Sequence, residues 1–184
     1  MTRSRRSKSM CGIGAVVLLM ASTALLWPAD PAGAIPLESW DDKIPNAKDR
    51  FKVLSEFGDQ AVLDKETALV WERTPDTQPE QWVTAKFLCL NKVVGNRRGW
   101  RLPSIVELST LVDPSVPEGT GVTLPAGHPF VGIQPAIYWS ATSDSAVDGN
   151  AFLLVFSNGG VGGGPKSDAL LFWCVRGGTH AGPY

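Results

Sequence analysis

The sequence predicts an α+β domain in which antiparallel strands accompany two helices and a long loop region. Three observations predict this class: a hairpin pattern around residue 65, helical spacing of apolar residues in two segments between residues 81 and 113, and three β-rich segments after residue 136. The chain shows no internal repeat of the kind that indicates a solenoid or a propeller.

The first 34 residues have the pattern of a secretory signal. Four basic residues precede a charge-free run at 12–26, and Ala32-Gly33-Ala34 then supplies a small-residue cleavage pattern. The apolar run is shorter than the about 20 residues that a membrane span needs. We therefore expect cleavage after Ala34 and export to the periplasm, the cell surface or the medium, with no membrane span left. An uncleaved N-terminal anchor is the alternative.

Cleavage would leave 150 residues, which is a typical length for one domain. We expect a leader or linker at 35–50, the domain at 51–178 and a tail at 179–184. The exported chain would carry 13 basic and 17 acidic residues, a net charge of −4, which argues against nucleic-acid binding. A local basic face remains open, because five basic residues fall within 16 positions. They are Lys86, Lys92, Arg97, Arg98 and Arg101.

Two cysteines, Cys89 and Cys174, would remain after export. In an oxidising compartment such a pair is most simply a disulfide. Closing a loop of about 85 residues would stabilise the fold by about 4.5 kcal/mol in the chain-entropy model. Two free thiols or a redox pair are the alternative, which the absence of Cys-x-x-Cys spacing disfavours. Neither His128 nor His180 has metal-ligand spacing from a cysteine, so we expect no metal and no other cofactor.

The first half of the domain contains the hairpin and the first helix. Residues 51–57 alternate enough to predict a strand, and Ala61–Asp64 and 68–73 predict the hairpin. Residues 81–94 predict a helix that Gly95-Asn96 ends, with Cys89 on its buried side. The apolar face of this helix consists of Trp82, Ala85, Leu88 and Cys89.

The second helix has a capping box at its start. Ser104 is the N-cap, Glu107 follows three residues later, and Asp113-Pro114 ends the helix. Its apolar face consists of Ile105, Leu108 and Leu111.

The second half of the domain combines loops with β-rich segments. Residues 115–135 contain four prolines and predict a long loop, a length that is often functional. Strands are expected at 137–141, 151–156 and 169–175. The glycine-rich segment 157–167 lacks the Gly-Lys-[Ser/Thr] of a phosphate-binding loop and predicts a flexible hairpin loop that a ligand can approach closely.

Five ordered motifs resemble those of one bacterial family, the Lcl C-terminal domain family, named for the collagen-like adhesin of Legionella. The hairpin resembles its V-x-D-x-x-T-G-L-x-W opening, with Ala68 where glycine is usual. Trp82 to Cys89 resembles its first helix, and Gly99-Trp100-Arg101-Leu102-Pro103-Ser104 resembles its core motif. The remaining two motifs are Tyr138-Trp139-Ser140-Ala141-Thr142 and Cys174-Val175-Arg176.

The resemblance covers about residues 60–176 and implies a C-type-lectin-like fold. In that fold a cysteine of the first helix pairs with one of the last strand, as Cys89 and Cys174 would. The resemblance also implies attachment to sulfated glycosaminoglycans, the activity of the collagen-like adhesin. This sequence contains no collagen-like stalk, so adhesion does not transfer directly. The calcium-dependent sugar motifs of lectins with this fold are also missing, since the nearest fragment is Gln134-Pro135-Ala136.

We expect no enzymatic activity. Ser140 and His128 are the nearest approach to a nucleophile and its base, and their spacing does not support that role. The lectin-like fold also occurs in formylglycine-generating enzymes, which need a reactive cysteine pair beyond a disulfide. Five of the six tryptophans after residue 34 lie in fold motifs, where burial is the default. Trp40 lies outside these motifs.

The sequence thus predicts an exported, lectin-like binding module for a glycan or for an envelope or extracellular protein. Its ligand would contact the 115–135 loop, the 144–150 turn and the glycine-rich segment. Ordinary solvated turns are the alternative for these polar residues. A structural or assembly protein of the cell envelope, acting by protein–protein contact, is the alternative function. The expected ligand-binding residues are Asp144, Asp148, Asn150 and Asn158.

Overall fold

The computed structural model describes residues 43–177. The predicted signal sequence, most of the leader, the tail and Trp40 lie outside these residues. The helices of the described part are α1 (Ala47–Arg50), α2 (Trp82–Asn91) and α3 (Ile105–Ser109). Its strands are β1 (Phe51–Val53), β2 (Ala61–Asp64), β3 (Leu69–Glu72), β4 (Glu80–Gln81), β5 (Trp100–Arg101), β6 (Ile137–Ser143), β7 (Asn150–Val155), β8 (Gly160–Pro165), β9 (Ala169–Leu170) and β10 (Val175–Arg176).

The strands form three sheets, and every pairing within them is antiparallel. The largest sheet has the order β1-β2-β3-β10-β5, so β10, the last strand of the described residues, lies between the early hairpin and the strand that precedes α3. A second sheet has the order β6-β7-β8, and β4 pairs with β9. This arrangement confirms the α+β class and the antiparallel strands.

The early hairpin is fixed at its turn by buried polar groups. Asp64 accepts hydrogen bonds from the Thr67 hydroxyl (2.9 Å) and from the Arg50 guanidinium (2.7 and 2.8 Å). Arg50 also donates to the Thr110 carbonyl at 2.8 Å, so the packed structure begins before Phe51. Ala68 adopts φ +56°, the left-handed conformation that glycine favours.

Both main helices are shorter than predicted. Helix α2 ends at Asn91 because Lys92 is already extended, and Gly95 and Asn96 form a separate tight turn instead of stopping the helix. The capping box of α3 is confirmed, since the Ser104 side chain accepts from the Glu107 amide and the Glu107 carboxylate accepts from the Ser104 amide. Helix α3 ends at Ser109, before Asp113-Pro114.

Within the glycine-rich segment, Gly160–Pro165 forms strand β8, so the prediction of a flexible loop there is wrong. Six residues of β8 pair in continuous register with β7. A Cβ at Gly162 or Gly164 would lie 3.4 or 3.1 Å from the methyl groups of Leu153. The glycines therefore allow the Leu153 side chain to lie across the strand, which is close packing rather than flexibility.

Two other predicted strands also differ from the structure. Residues 51–57 form β1 followed by a 3₁₀ turn at Ser55–Phe57. Residues 169–175 contribute to two sheets, as β9 and the start of β10. The intervening residues, Leu171 to Cys174, are buried and connect the two cores.

The core consists of two apolar clusters, and each contains tryptophans from the fold motifs. Trp71 and Trp173 pack with Phe130 and Phe156 in one cluster. The other cluster contains Trp82, Trp100 and Trp139 together with the disulfide between Cys89 and Cys174, whose Cα atoms are 5.4 Å apart. The predicted burial of the five tryptophans is confirmed, as is the disulfide.

None of the helices within residues 43–177 has the length and apolar character that crossing a membrane would require.

Candidate functional site

The expected ligand-binding residues lie at two opposite ends of β7. Asp144 and Asp148 belong to the connection between β6 and β7, Asn150 is the first residue of β7, and Asn158 follows the other end of that strand. A six-residue strand is about 20 Å long. The fold therefore brings the first three residues together and leaves Asn158 apart from them.

The side-chain oxygens of Asp144, Asp148 and Asn158 bond to the backbone of their own turns. Asp144 Oδ1 accepts from the Ala146 amide at 2.8 Å, and Asp148 Oδ1 accepts from the Gly149 amide at 3.0 Å. Asn158 Oδ1 accepts from the Gly160 amide at 2.9 Å. Such bonds are typical of Asx turns. Among the described residues, no three His, Cys, Asp or Glu side chains form a group suited to a metal ion.

The 115–135 loop has no helix or strand and is attached to the end of β7. The Thr123 amide donates to the Phe156 carbonyl at 2.8 Å, and the Asn158 amide group donates to Glu118 at 3.3 Å. Hydrogen bonds from the Ser115 hydroxyl and amide hold the pKa of Asp113 below its ordinary value. These contacts give the loop a defined path.

His128 and Ser140 occupy different structural positions. Ser140 is fully buried, and its hydroxyl donates to the Phe152 carbonyl at 2.8 Å. The ring of His128 packs against Phe130, and burial lowers the pKa of the imidazole. No hydrogen bond joins Ser140 to His128 among those of the described residues.

Charge is unevenly distributed along the chain and over the fold. Residues 81–101, which we call the basic region, contain five basic and no acidic residues. Residues 102–165, the acidic region, contain five acidic residues and no Lys or Arg. The basic region comprises α2, the tight turn that follows it and β5. The acidic region comprises α3, the long loop and the β6-β7-β8 sheet.

Two of the five cations of the basic region are neutralised. Arg101 forms two hydrogen bonds to the Glu107 carboxylate, at 2.6 and 2.7 Å, and a third to the Gly177 carbonyl. Lys92 contacts Glu72 at 2.8 Å and Asp76 at 3.1 Å. These two side chains therefore have structural roles.

The Lys92 ion pair lies in the wall of an open cleft of about 520 Å³. Burial raises the pKa of Glu72 despite its contact with Lys92. Burial lowers the pKa of Lys92, but attraction and hydrogen bonds to Glu72 and Asp76 outweigh it, so the net shift is upward. Glu72 also accepts from the Cys174 amide at 2.9 Å. The charged groups of the cleft thus satisfy one another and hold β3 to the chain before β10.

Two arginines, Arg97 and Arg176, lie over one aromatic ring, and Arg98 follows Arg97 in the chain. We call these three residues the arginine cluster. The guanidinium carbons of Arg97 and Arg176 lie 5.4 and 5.8 Å from the ring centroid of Phe57. The backbone carbonyl of Arg98 accepts from Arg176 Nε at 2.9 Å. Arg97 and Arg98 are exposed, and within residues 43–177 no carboxylate lies within 4.0 Å of any of the three guanidiniums.

A rigid turn holds the arginine cluster in place. Val94 and Arg97 exchange backbone hydrogen bonds of 3.0 and 3.1 Å around Gly95 and Asn96, which both have positive φ, as in a type I′ hairpin turn. Gly95 lies directly against the Phe57 backbone, where a Cβ has no room. The Trp100 indole donates to the Arg97 carbonyl at 2.9 Å. The guanidiniums are therefore presented by a fixed backbone.

The sequence indicated only part of the arginine cluster. Arg97 and Arg98 belong to the run of basic residues, but Arg176 lies far away along the chain. Its Nε donates to the Arg98 carbonyl, which holds the guanidinium at the turn, while its terminal N–H groups have no carboxylate partner within residues 43–177. The sequence did not indicate that Phe57 lies under the arginines, because this position depends on its contact with Gly95, which is distant in the chain.

A comparison with curated proteins gives no match for this chain. The model of the Lcl C-terminal domain family matches residues 60–176. The matched range includes the early hairpin, α2, α3 and the closing strands, together with Cys89, Cys174 and all three residues of the arginine cluster. We conclude that the chain belongs to the Lcl C-terminal domain family.

Proposed function

We propose that this protein is an exported, non-enzymatic binding module for an anionic glycan, which it binds through the arginine cluster. Its adhesin-related family and its disulfide fit an extracellular binding module. The disulfide also supports export to the periplasm, the cell surface or the medium. We further propose that the fold is C-type-lectin-like.

The observation that carries the proposal is the set of three guanidiniums that have no carboxylate partner within residues 43–177. A guanidinium presents several N–H donors in a planar fork that matches sulfate and carboxylate groups. In this domain Arg50 and Arg101 already have carboxylate partners, whereas Arg97, Arg98 and Arg176 are available to a ligand. Since the backbone of the turn is already fixed, ligand binding has only the arginine side chains left to order.

The ligand-binding residues that the sequence predicted are the alternative binding site for a glycan. Asp144, Asp148 and Asn158 bond to their own turns and lie in the acidic region, which repels an anionic polymer. We therefore place the anionic glycan at the arginine cluster. A neutral glycan at the 144–150 turn would be a different outcome and would refute this placement.

A panel of immobilised polysaccharides tests the proposal. The exported protein is applied to sulfated, carboxylated and neutral chains of matched length, with binding measured by biolayer interferometry. We expect binding to sulfated and carboxylated chains that weakens steeply with added salt, because exposed charges are screened. Binding to neutral chains only, or no binding to any chain, would contradict the proposal.

The same samples test the absence of catalysis. After incubation with the protein, the length distribution of each soluble polysaccharide is measured by size-exclusion chromatography. A binding module leaves the distribution unchanged, and progressive shortening would show an enzyme.

A further inference from the structure

Helix α2 presents an apolar face that the fold does not cover. Val83, Phe87 and Leu90 are 67, 62 and 63% exposed, and Val93, just after the helix, is 49% exposed. The spacing of four and three residues places the first three side chains on one side of the helix. None of them belongs to either core cluster.

The opposite side of α2 is also apolar. Trp82, Ala85 and Cys89 are buried there, and the disulfide attaches Cys89 to the core. A helix that is apolar on both sides is normally buried on both sides. A contiguous exposed apolar surface on a domain of this size is typical of a contact site.

Lys86 is the one charged residue within α2, and Glu80 precedes the helix directly in β4. Lys86 projects between the buried and exposed sides, with its ammonium 4.2 Å from the Trp82 ring centroid. Lys166 lies on the same ring at 4.7 Å. Residues 81–106 contain no Asp or Glu.

The apolar face of α2 and the cations beside it together indicate which kind of partner covers the helix. A symmetric contact between two copies would bring Lys86 against its equivalent with no acidic residue on α2 of either copy, which is unfavourable. An amphipathic surface with aliphatic and aromatic side chains flanked by Lys and Arg is typical of helices that lie in the interface of an anionic membrane. Each flanking cation near such a surface adds to the attraction.

We propose that α2 docks this domain on an anionic lipid bilayer. Val83, Phe87 and Leu90 enter the boundary between headgroups and acyl chains, and Lys86 contacts lipid phosphates. Docking on lipid is separate from glycan binding, because it depends on the apolar face of α2 rather than on the arginine cluster.

Vesicle co-sedimentation tests the docking. The exported protein is mixed with vesicles of phosphatidylcholine alone or of phosphatidylcholine and phosphatidylglycerol in equal parts. We expect binding to the anionic vesicles and little binding to the neutral ones. The double variant Phe87→Ser/Leu90→Ser should lower the partition coefficient about tenfold or more, and Lys86→Gln should lower it about fivefold.

Val161→Ser is the matched control. Val161 is 53% exposed on β8 in the acidic region, so its replacement removes a comparable apolar side chain away from α2. It should leave vesicle binding unchanged. All variants have the same N-terminal segment, so a difference in vesicle binding among them is due to the substituted positions. Near-UV circular dichroism verifies that each variant is folded.

Three outcomes would overturn the docking: equal binding to neutral and anionic vesicles, full binding by the double variant, or no vesicle binding by the unmodified protein. Failure of glycan binding is recognised separately. The double variant should bind sulfated polysaccharide as the unmodified protein does, so loss of one activity leaves the other measurable.

Discussion

The basic region contains five Lys and Arg side chains and no acidic ones, whereas the acidic region contains five carboxylates and no Lys or Arg. In the acidic region, Asp144, Asp148 and Asp113 accept hydrogen bonds from nearby backbone amides, so their oxygens stabilise turns. In the basic region, Arg97 and Arg98 remain exposed without a carboxylate partner among the described residues. The carboxylates of the acidic region thus stabilise their own loops, whereas the arginines of a short turn keep exposed hydrogen-bond donors.

Among the substitutions that distinguish the two regions, removal of the disulfide should lower stability most. The bridge attaches the basic region to the chain that continues into β10. The double variant Cys89→Ala/Cys174→Ala should lower the free energy of unfolding by about 4 kcal/mol. Urea denaturation measures the loss. Hydrogen exchange should show amides of the basic region losing protection before those of β6, β7 and β8. Two alkylatable thiols in the native unmodified protein would contradict the bridge.

A glycine substitution in each region compares the two turns directly. Gly95 and Gly149 both have positive φ, but a Cβ at Gly95 would overlap the Phe57 backbone, whereas no atom lies within 4 Å of a Cβ at Gly149. Gly95→Ala should therefore cost about 3 kcal/mol or more. Gly149→Ala should cost about 1 kcal/mol, the strain of the backbone alone. Equal losses in thermal denaturation would show that the turn at Gly95 is not fixed against Phe57.

The Arg101–Glu107 pair joins the two regions and should give a smaller, pH-dependent effect. Burial raises the pKa of Glu107, but the Arg101 guanidinium and the Ser104 amide and hydroxyl outweigh it and hold the pKa below its ordinary value. A carboxylate with a lowered pKa stabilises the fold above its unfolded pKa, and this contribution is lost as the pH falls through the folded pKa.

Replacing the carboxylate with an amide tests this effect. Glu107→Gln should cost about 1 kcal/mol at neutral pH. The difference between the two proteins should shrink as the pH falls below about 4. Urea denaturation across this range measures it, and a difference that grows on acidification would contradict the assigned role of the pair.

Local signals predicted much of the fold. The hairpin, the capping box at Ser104 and Glu107 and the buried side of α2 depend on neighbours close in sequence, and all were confirmed. The pairing of Cys89 with Cys174 was predictable because export would leave only two cysteines. The fold class followed from the order of these elements.

Non-local packing decided the features that the sequence did not reveal. Strand β8 was predicted as a loop because glycine disfavours strands. In the structure the Leu153 side chain of the neighbouring strand packs across these glycines, which the local sequence does not reveal. Gly95-Asn96 was predicted to end a helix and instead forms a turn against Phe57. The arginine cluster needed Arg176, which β10 brings beside the turn from the other end of the domain.

The central claim is that an anionic glycan binds the arginine cluster rather than the loops of the acidic region. The most direct test measures heparin affinity by isothermal titration calorimetry for two matched triple variants, Arg97→Gln/Arg98→Gln/Arg176→Gln and Asp144→Ser/Asp148→Ser/Asn158→Ser. We expect the arginine variant to lose at least about tenfold in affinity, since three charge-assisted contacts are removed, and the second variant to bind as tightly as the unmodified protein. Loss of binding in the second variant with full binding in the first would contradict the claim.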